Sequence, residues 1–111
     1  MKALITGASS GIGRDMARIL KEKGYELILV AKDKGRLETI QKELGDNTKI
    51  IVKDLSSTYN CVSLYNEVKK EDIDILINNA GFGLYGDFTE TKLDKELDMI
   101  DLNIDVWLTL S

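Results

Sequence analysis

Thr6-Gly7-Ala8-Ser9-Ser10-Gly11-Ile12-Gly13 follows directly on the apolar run Ala3-Leu4-Ile5 and leads into Arg14-Asp15-Met16. Three glycines, a threonine and two serines at such a junction predict a strand that turns sharply into a helix. The first glycine permits the tight turn, and the later two are expected to let backbone N–H groups approach a phosphate. The positive end of the helix dipole would then stabilise the anion. The spacing Gly7-x-x-x-Gly11-x-Gly13 is not the G-x-G-x-x-G dinucleotide pattern. Nor is it the Walker loop, since no Lys-Ser or Lys-Thr follows Gly13. The plain alternative for the same residues is a glycine-rich turn without a ligand.

Outward from this loop, short apolar runs alternate with amphipathic segments. The runs are Ala3-Leu4-Ile5, Leu27 to Ala31, Ile50-Ile51-Val52 and Ile73 to Ile77. They are nearly continuous, as strands covered on both faces should be. Ile12, Met16, Ile19 and Leu20 follow helical spacing, and Gly24 stands where a left-handed stop belongs. Leu37, Ile40 and Leu44 repeat the arrangement before Gly45. Cys61, Leu64, Tyr65 and Val68 predict a third helix with Tyr65 packed on the sheet, and Leu93, Leu97 and Ile100 a fourth. The order predicts one α/β domain over residues 1–111, a doubly wound parallel sheet of Rossmann type with strand order 3-2-1-4. Residues 101–111 read as the first turns of a further apolar helix, giving β-α-β-α-β-α-β-α-α. A sheet halted at its fourth strand leaves an edge open, so the chain reads as truncated at its C-terminus.

Composition removes several classes of function. The 111 residues hold no histidine and one cysteine, Cys61. That excludes a disulfide framework, a histidine-based triad and a Cys/His zinc site, so no metal is expected. The net charge of −4 comes without a basic cluster, which argues against nucleic acid as a partner. No run suits a signal peptide or a membrane span, and a soluble cytoplasmic protein is expected.

Thr6-Gly7-x-x-x-Gly11-x-Gly13, followed after a later strand by Asn78-Asn79-Ala80-Gly81, resembles the short-chain dehydrogenase/reductase family. Asp54-Leu55 after the third strand and Asn103 fit the same pattern, so the resemblance covers the whole chain. It implies an oxidoreductase that moves hydride between a nicotinamide dinucleotide and a carbonyl or alcohol substrate. Gly7, Ser9, Ser10, Gly11, Ile12 and Gly13 would line the pyrophosphate and adenosine ribose. Asp54 and Leu55 would flank the adenine, although Asp54 also reads as a residue preparing a helix start. Asn79, Ala80 and Gly81 would stabilise the central strand and pass near the nicotinamide ribose.

At the end of the second strand, where the ribose 2′ position lies, the sequence is Val30-Ala31-Lys32-Asp33. Asp33 lies about 20 residues past Gly13, which suits an acidic reader of the 2′-hydroxyl. The family alignment instead puts the acidic position at Ala31 and the basic one at Lys32. NADP(H) is therefore the expected cofactor, with Lys32 on the 2′-phosphate and NAD(H) the alternative. Arg14 reads as a solvated helix residue.

The family's proton chemistry uses a serine, a tyrosine with a lysine four residues on, and an asparagine. Asn103 matches the asparagine. Tyr65-x-x-x-Lys69 has the tyrosine–lysine spacing but precedes the fourth strand, so it reads as a coincidence. Nothing after Asn103 supplies the missing groups, and the chain on its own is expected to be inactive. The glycines and aromatics from Phe82 to Phe88 suit either a substrate border or an anchored loop. A longer form is expected to be a homo-oligomer acting on a small molecule; an inactive dinucleotide-binding fragment or module is the alternative.

Overall fold

The computed structural model of the chain describes residues 1–79, 88–90 and 105–109, the last two stretches as backbone. The first apolar run forms β1 (Lys2–Thr6), and the glycine loop leads from it into α1 (Gly11–Glu22). Alternation continues through β2 (Glu26–Ala31), α2 (Lys34–Leu44), β3 (Thr48–Val52), α3 (Thr58–Val68) and β4 (Ile75–Asn78). Each helix starts on a side-chain acceptor: Ser10, Asp33 and Ser57 take the amides of Gly13, Arg36 and Asn60. Such caps satisfy a donor that the first turn leaves without a helical partner.

β1 to β4 are parallel in the order β3-β2-β1-β4, the Rossmann-type arrangement expected. Along β1, Ala3 and Ile5 join the core beneath α1 and α2, whereas Leu4 joins the core beneath α3. β2 divides in the same way, Leu27, Leu29 and Ala31 against Ile28 and Val30. Side chains alternate faces with period two. With helices on both faces, both parities must be apolar, which is why the strands read as unbroken runs.

The buried stripe of α1 is Gly13, Met16, Ala17 and Leu20. Ile12 and Ile19 fall outside it; Ile12 is 36% exposed and Ile19 only borders the core. On α3 the inward residues are Leu64 and Val68, with Cys61 packed beside them. Tyr65 does not join them as expected and is 39% exposed. Cys61, Leu64 and Val68 already complete an i, i+3, i+7 stripe, and Tyr65 lies one step round the helix from Leu64.

Asp105–Thr109 is a strand, β6, and not the start of a helix. It pairs antiparallel with β4, and β5 (Phe88–Glu90) pairs antiparallel with β6, giving the order β3-β2-β1-β4-β6-β5. Without β6, the central strand β4 would present a row of unpaired amides and carbonyls. Val106, Trp107 and Thr109 are types that suit a pleated surface, so pairing there outweighs helix formation. The fourth helix anticipated around Leu93, Leu97 and Ile100 lies outside the described residues.

Charged side chains gather where the parallel strands begin. The Lys2 ammonium lies 2.7 Å from the Glu71 carboxylate and 3.9 Å from that of Glu26, and Lys49 reaches Glu71 at 3.2 Å. Hydrogen bonds from Lys2 and Lys49 hold the Glu71 carboxyl below the ordinary glutamate value of 4.5. A depressed carboxyl stabilises the fold above its unfolded value, and that contribution is lost as pH falls through the depressed one. Glu71→Gln is therefore expected to lower Tm at neutral pH. In thermal scans the deficit should vanish below the ordinary carboxylate range.

Candidate functional site

The C-terminal ends of the parallel strands converge on the glycine loop. Gly7 takes a φ of 65° as the chain leaves β1, a conformation that glycine adopts without the Cβ penalty. The amide of Ala8 donates to the Val30 carbonyl at 3.1 Å, tying the loop to β2. Gly13 is buried on α1, and a Cβ built there would meet the Gly7 carbonyl oxygen at 2.5 Å and Ala8 Cα at 2.8 Å. At Gly11 a Cβ would meet nothing within 4 Å.

The two later glycines therefore differ in their surroundings. Gly13 lets α1 close against the loop, and its amide is occupied by the Ser10 hydroxyl at 3.1 Å. Gly11 and Ile12 are exposed, and their amides belong to the first helical turn, which offers them no backbone acceptor. Those are the donors available to an anion.

Ser10 holds the loop together. Its hydroxyl donates to the Gly7 carbonyl at 2.9 Å and accepts from Asn79 Nδ2 at 2.7 Å. Asn79 Nδ2 also donates to the Gly7 carbonyl at 3.1 Å. One strand over, the buried Thr6 hydroxyl donates to Asn78 Oδ1 at 2.9 Å. The asparagine pair after β4 is thus joined to the loop after β1.

Beside the loop lies a cleft of about 380 Å³. One wall is Gly7, Ser9 and Ser10, and the other is Asp54, Leu55 and Ser56. The ends of β2 and β3 add Ala31, Lys32 and Lys53, and α2 adds Arg36. The fold thus brings Lys32, Asp54 and Leu55 to the glycine loop from three separate stretches of chain. Gly11 borders a neighbouring cleft with Arg14, Arg36 and Ser9. Ile12 and Gly13 line neither cleft, and neither do Tyr65 and Lys69. Ala80, Gly81, Asn103 and the loop from Phe82 to Asp87 lie outside the described residues.

The three cations of the cleft between the glycine loop and Asp54 are not equivalent. Arg36 Nε is 3.4 Å from the Asp33 carboxylate. Lys53 lies 3.3 Å from Glu67 and donates to the Ser63 hydroxyl at 3.1 Å. Among the described residues, Lys32 has no carboxylate within ion-pair distance, and it is exposed. Asp33 is committed elsewhere: its carboxylate caps α2 through the Arg36 amide at 3.1 Å. Asp54 accepts from the Ser56 hydroxyl at 2.7 Å and the Ser56 amide at 3.0 Å. Those two bonds, with the charge of Lys32, hold its carboxyl below the ordinary range. Asp54 therefore organises the turn ahead of α3 and borders the cleft as well.

Sequence reasoning missed Arg36 and Lys53. Arg36 had a signal, since three residues past a capping aspartate put it in the first turn of α2, beside the β2 terminus. Lys53, adjoining Asp54, had only its neighbour. Among the described residues no group of side chains is arranged to hold a metal ion. No described helix is long and apolar enough to cross a membrane.

The sequence pattern of the short chain dehydrogenases matches residues 1–111. An uncharacterized oxidoreductase of Staphylococcus saprophyticus is 35% identical over 108 residues, covering 92% of this chain and 46% of its own. A very-long-chain 3-oxoacyl-CoA reductase of Pyrenophora tritici-repentis is 40% identical over 111 residues, covering 91% and 33%. The inactive hydroxysteroid dehydrogenase-like protein 1 of Pongo abelii is 37% identical over 109 residues, covering 92% and 33%. The chain thus spans between a third and just under half of these curated relatives. Among solved structures, an actinorhodin polyketide ketoreductase with NADPH superposes with a TM-score of 0.64 at 34% identity, over 73% of this chain and 33% of its own. A 3-ketoacyl-(acyl-carrier-protein) reductase from Brucella melitensis complexed with NADH gives 0.60 at 32% identity, over 68% and 32%.

Proposed function

The chain belongs to the short-chain dehydrogenase family, and from that premise we propose that it is the cofactor-holding half of an NADP(H)-dependent oxidoreductase. The nicotinamide of the bound cofactor would carry hydride to or from a carbonyl or alcohol substrate. The described residues suit such a ligand. The amides of Gly11 and Ile12, in the first turn of α1, would meet a pyrophosphate at the positive end of that helix. Ser9 faces the same anion from the loop, and Asp54 and Leu55 border the adenosine side of the cleft.

One observation carries the preference for NADP(H). Among the described residues, Lys32 is the cation of the cleft with no carboxylate within ion-pair distance, while the nearby carboxylate of Asp33 is taken up as the α2 cap. A cation there attracts a ribose 2′-phosphate, and a free carboxylate would repel it. Arg36, beside Lys32 in the cleft, adds positive charge. Titrating the full-length protein with NADPH and NADH should give tighter binding of NADPH by about tenfold or more. Equal dissociation constants would remove the assignment.

A second reading is a dinucleotide-binding module without chemistry, favoured by the likeness to the inactive relative of Pongo abelii. Single-turnover oxidation of NADPH with a panel of ketones and aldehydes separates the two. Binding without oxidation by any carbonyl would favour the module.

A further inference from the structure

We propose that Ser10 is a positioning residue rather than a cofactor ligand, and that its hydroxyl latches the loop after β1 to the chain leaving β4. This rests on the reading of the cleft as a dinucleotide site. A serine hydroxyl has one proton and two lone pairs. Here the proton goes to the Gly7 carbonyl, and the lone pairs take the Gly13 amide and Asn79 Nδ2. No capacity is left for a phosphate oxygen. The amide nitrogen of Asn79 is likewise filled, because it donates to both Ser10 and the Gly7 carbonyl. Its two protons have no further direction in which to serve.

The consequence is mechanical. Ser10 precedes the exposed amides of Gly11 and Ile12, so the orientation of those donors depends on the cap. The cap in turn depends on Asn79, which stands at the end of a different strand. Ser9 lines both clefts, and among the described residues it is left as the loop's hydroxyl free to meet the anion. The geometry that receives a pyrophosphate is therefore set jointly by β1 and β4.

A double-mutant cycle on the full-length protein tests the latch. Ser10→Ala and Asn79→Ala should each weaken NADPH binding by about five- to tenfold, with the double variant close to the weaker single, as coupled neighbours behave. Ser10→Thr, which keeps the hydroxyl, should stay within about twofold of the parent. Effects that multiply would make Ser10 an independent ligand and overturn the latch, as would a Ser10→Ala variant that binds normally. A second measurement needs no cofactor: amide exchange at Gly13 should quicken in Asn79→Ala. Unchanged exchange there would overturn the latch even if the parent binds NADPH. Failure of the parent to bind either dinucleotide, with Gly13 exchange quickened, would sink the reading of the cleft and support the latch.

Discussion

Gly13→Ala is expected to destabilise the fold by about 3 kcal/mol or more, whereas Gly11→Ala should leave Tm within a degree or two of the parent. The difference follows from what a methyl group meets. At Gly13 it would lie 2.5 Å from the Gly7 carbonyl oxygen and 2.8 Å from Ala8 Cα, both backbone atoms that cannot swing aside. Relief requires α1 to move away from the loop, which breaks the Ser10 cap and uncovers Met16 and Leu20. A loss of that size is a large part of the roughly 5–15 kcal/mol that holds a domain together. Gly11 has open space at the same position, and alanine favours a helix more than glycine does. Chemical denaturation of both variants decides the matter. Equal stability would mean that the close approach of α1 to the loop is absent in solution.

The second large effect is on selectivity. Lys32→Asp should shift the ratio of NADPH to NADH dissociation constants toward NADH by about 30- to 150-fold, equivalent to roughly 2–3 kcal/mol. The substitution removes an attraction and adds a repulsion at one point, but Lys32 is exposed, so solvent and salt reduce the full Coulomb energy. The shift should shrink as ionic strength rises. Asp33→Ser is the matching control, since serine also caps a helix. It is expected to leave NADH binding nearly unchanged. A selective loss of NADH affinity there would return Asp33 to the role of ribose reader, and an unmoved ratio in Lys32→Asp would end the case for Lys32.

The parts legible in the sequence were those with a local physical cause. Unbroken apolar runs such as Leu27 to Ala31 follow from burial on both faces. Gly24 and Gly45 show positive φ where helix ends were expected. Lys32, Asp54 and Leu55 share a cleft with the glycine loop because parallel strands bring their C-terminal ends together. What escaped reading depends on partners distant in the chain. Residues 105–109 form a strand because β4 offers an edge, and a short apolar run carries no periodicity to reveal that. The close approach of Gly13 to the Gly7 carbonyl, which requires a glycine there, likewise depends on how α1 seats against the loop. The three hydrogen bonds of Ser10 join residues from three stretches of chain, and no spacing reveals them. Tyr65 shares the spacing of its buried neighbours but not their direction.

The ion-pair network of Lys2, Glu26, Lys49 and Glu71 sits where the parallel strands start, and the cleft sits where they finish. Protein engineering gains a convenience from that separation. Residues at the starting end can be altered to tune tolerance of heat or acid, while those at the finishing end are altered to change the coenzyme. The strands between are β-ladders with little freedom to slide, so the two sets of changes should combine nearly additively. The molecule can be treated as a board with independent controls at opposite ends.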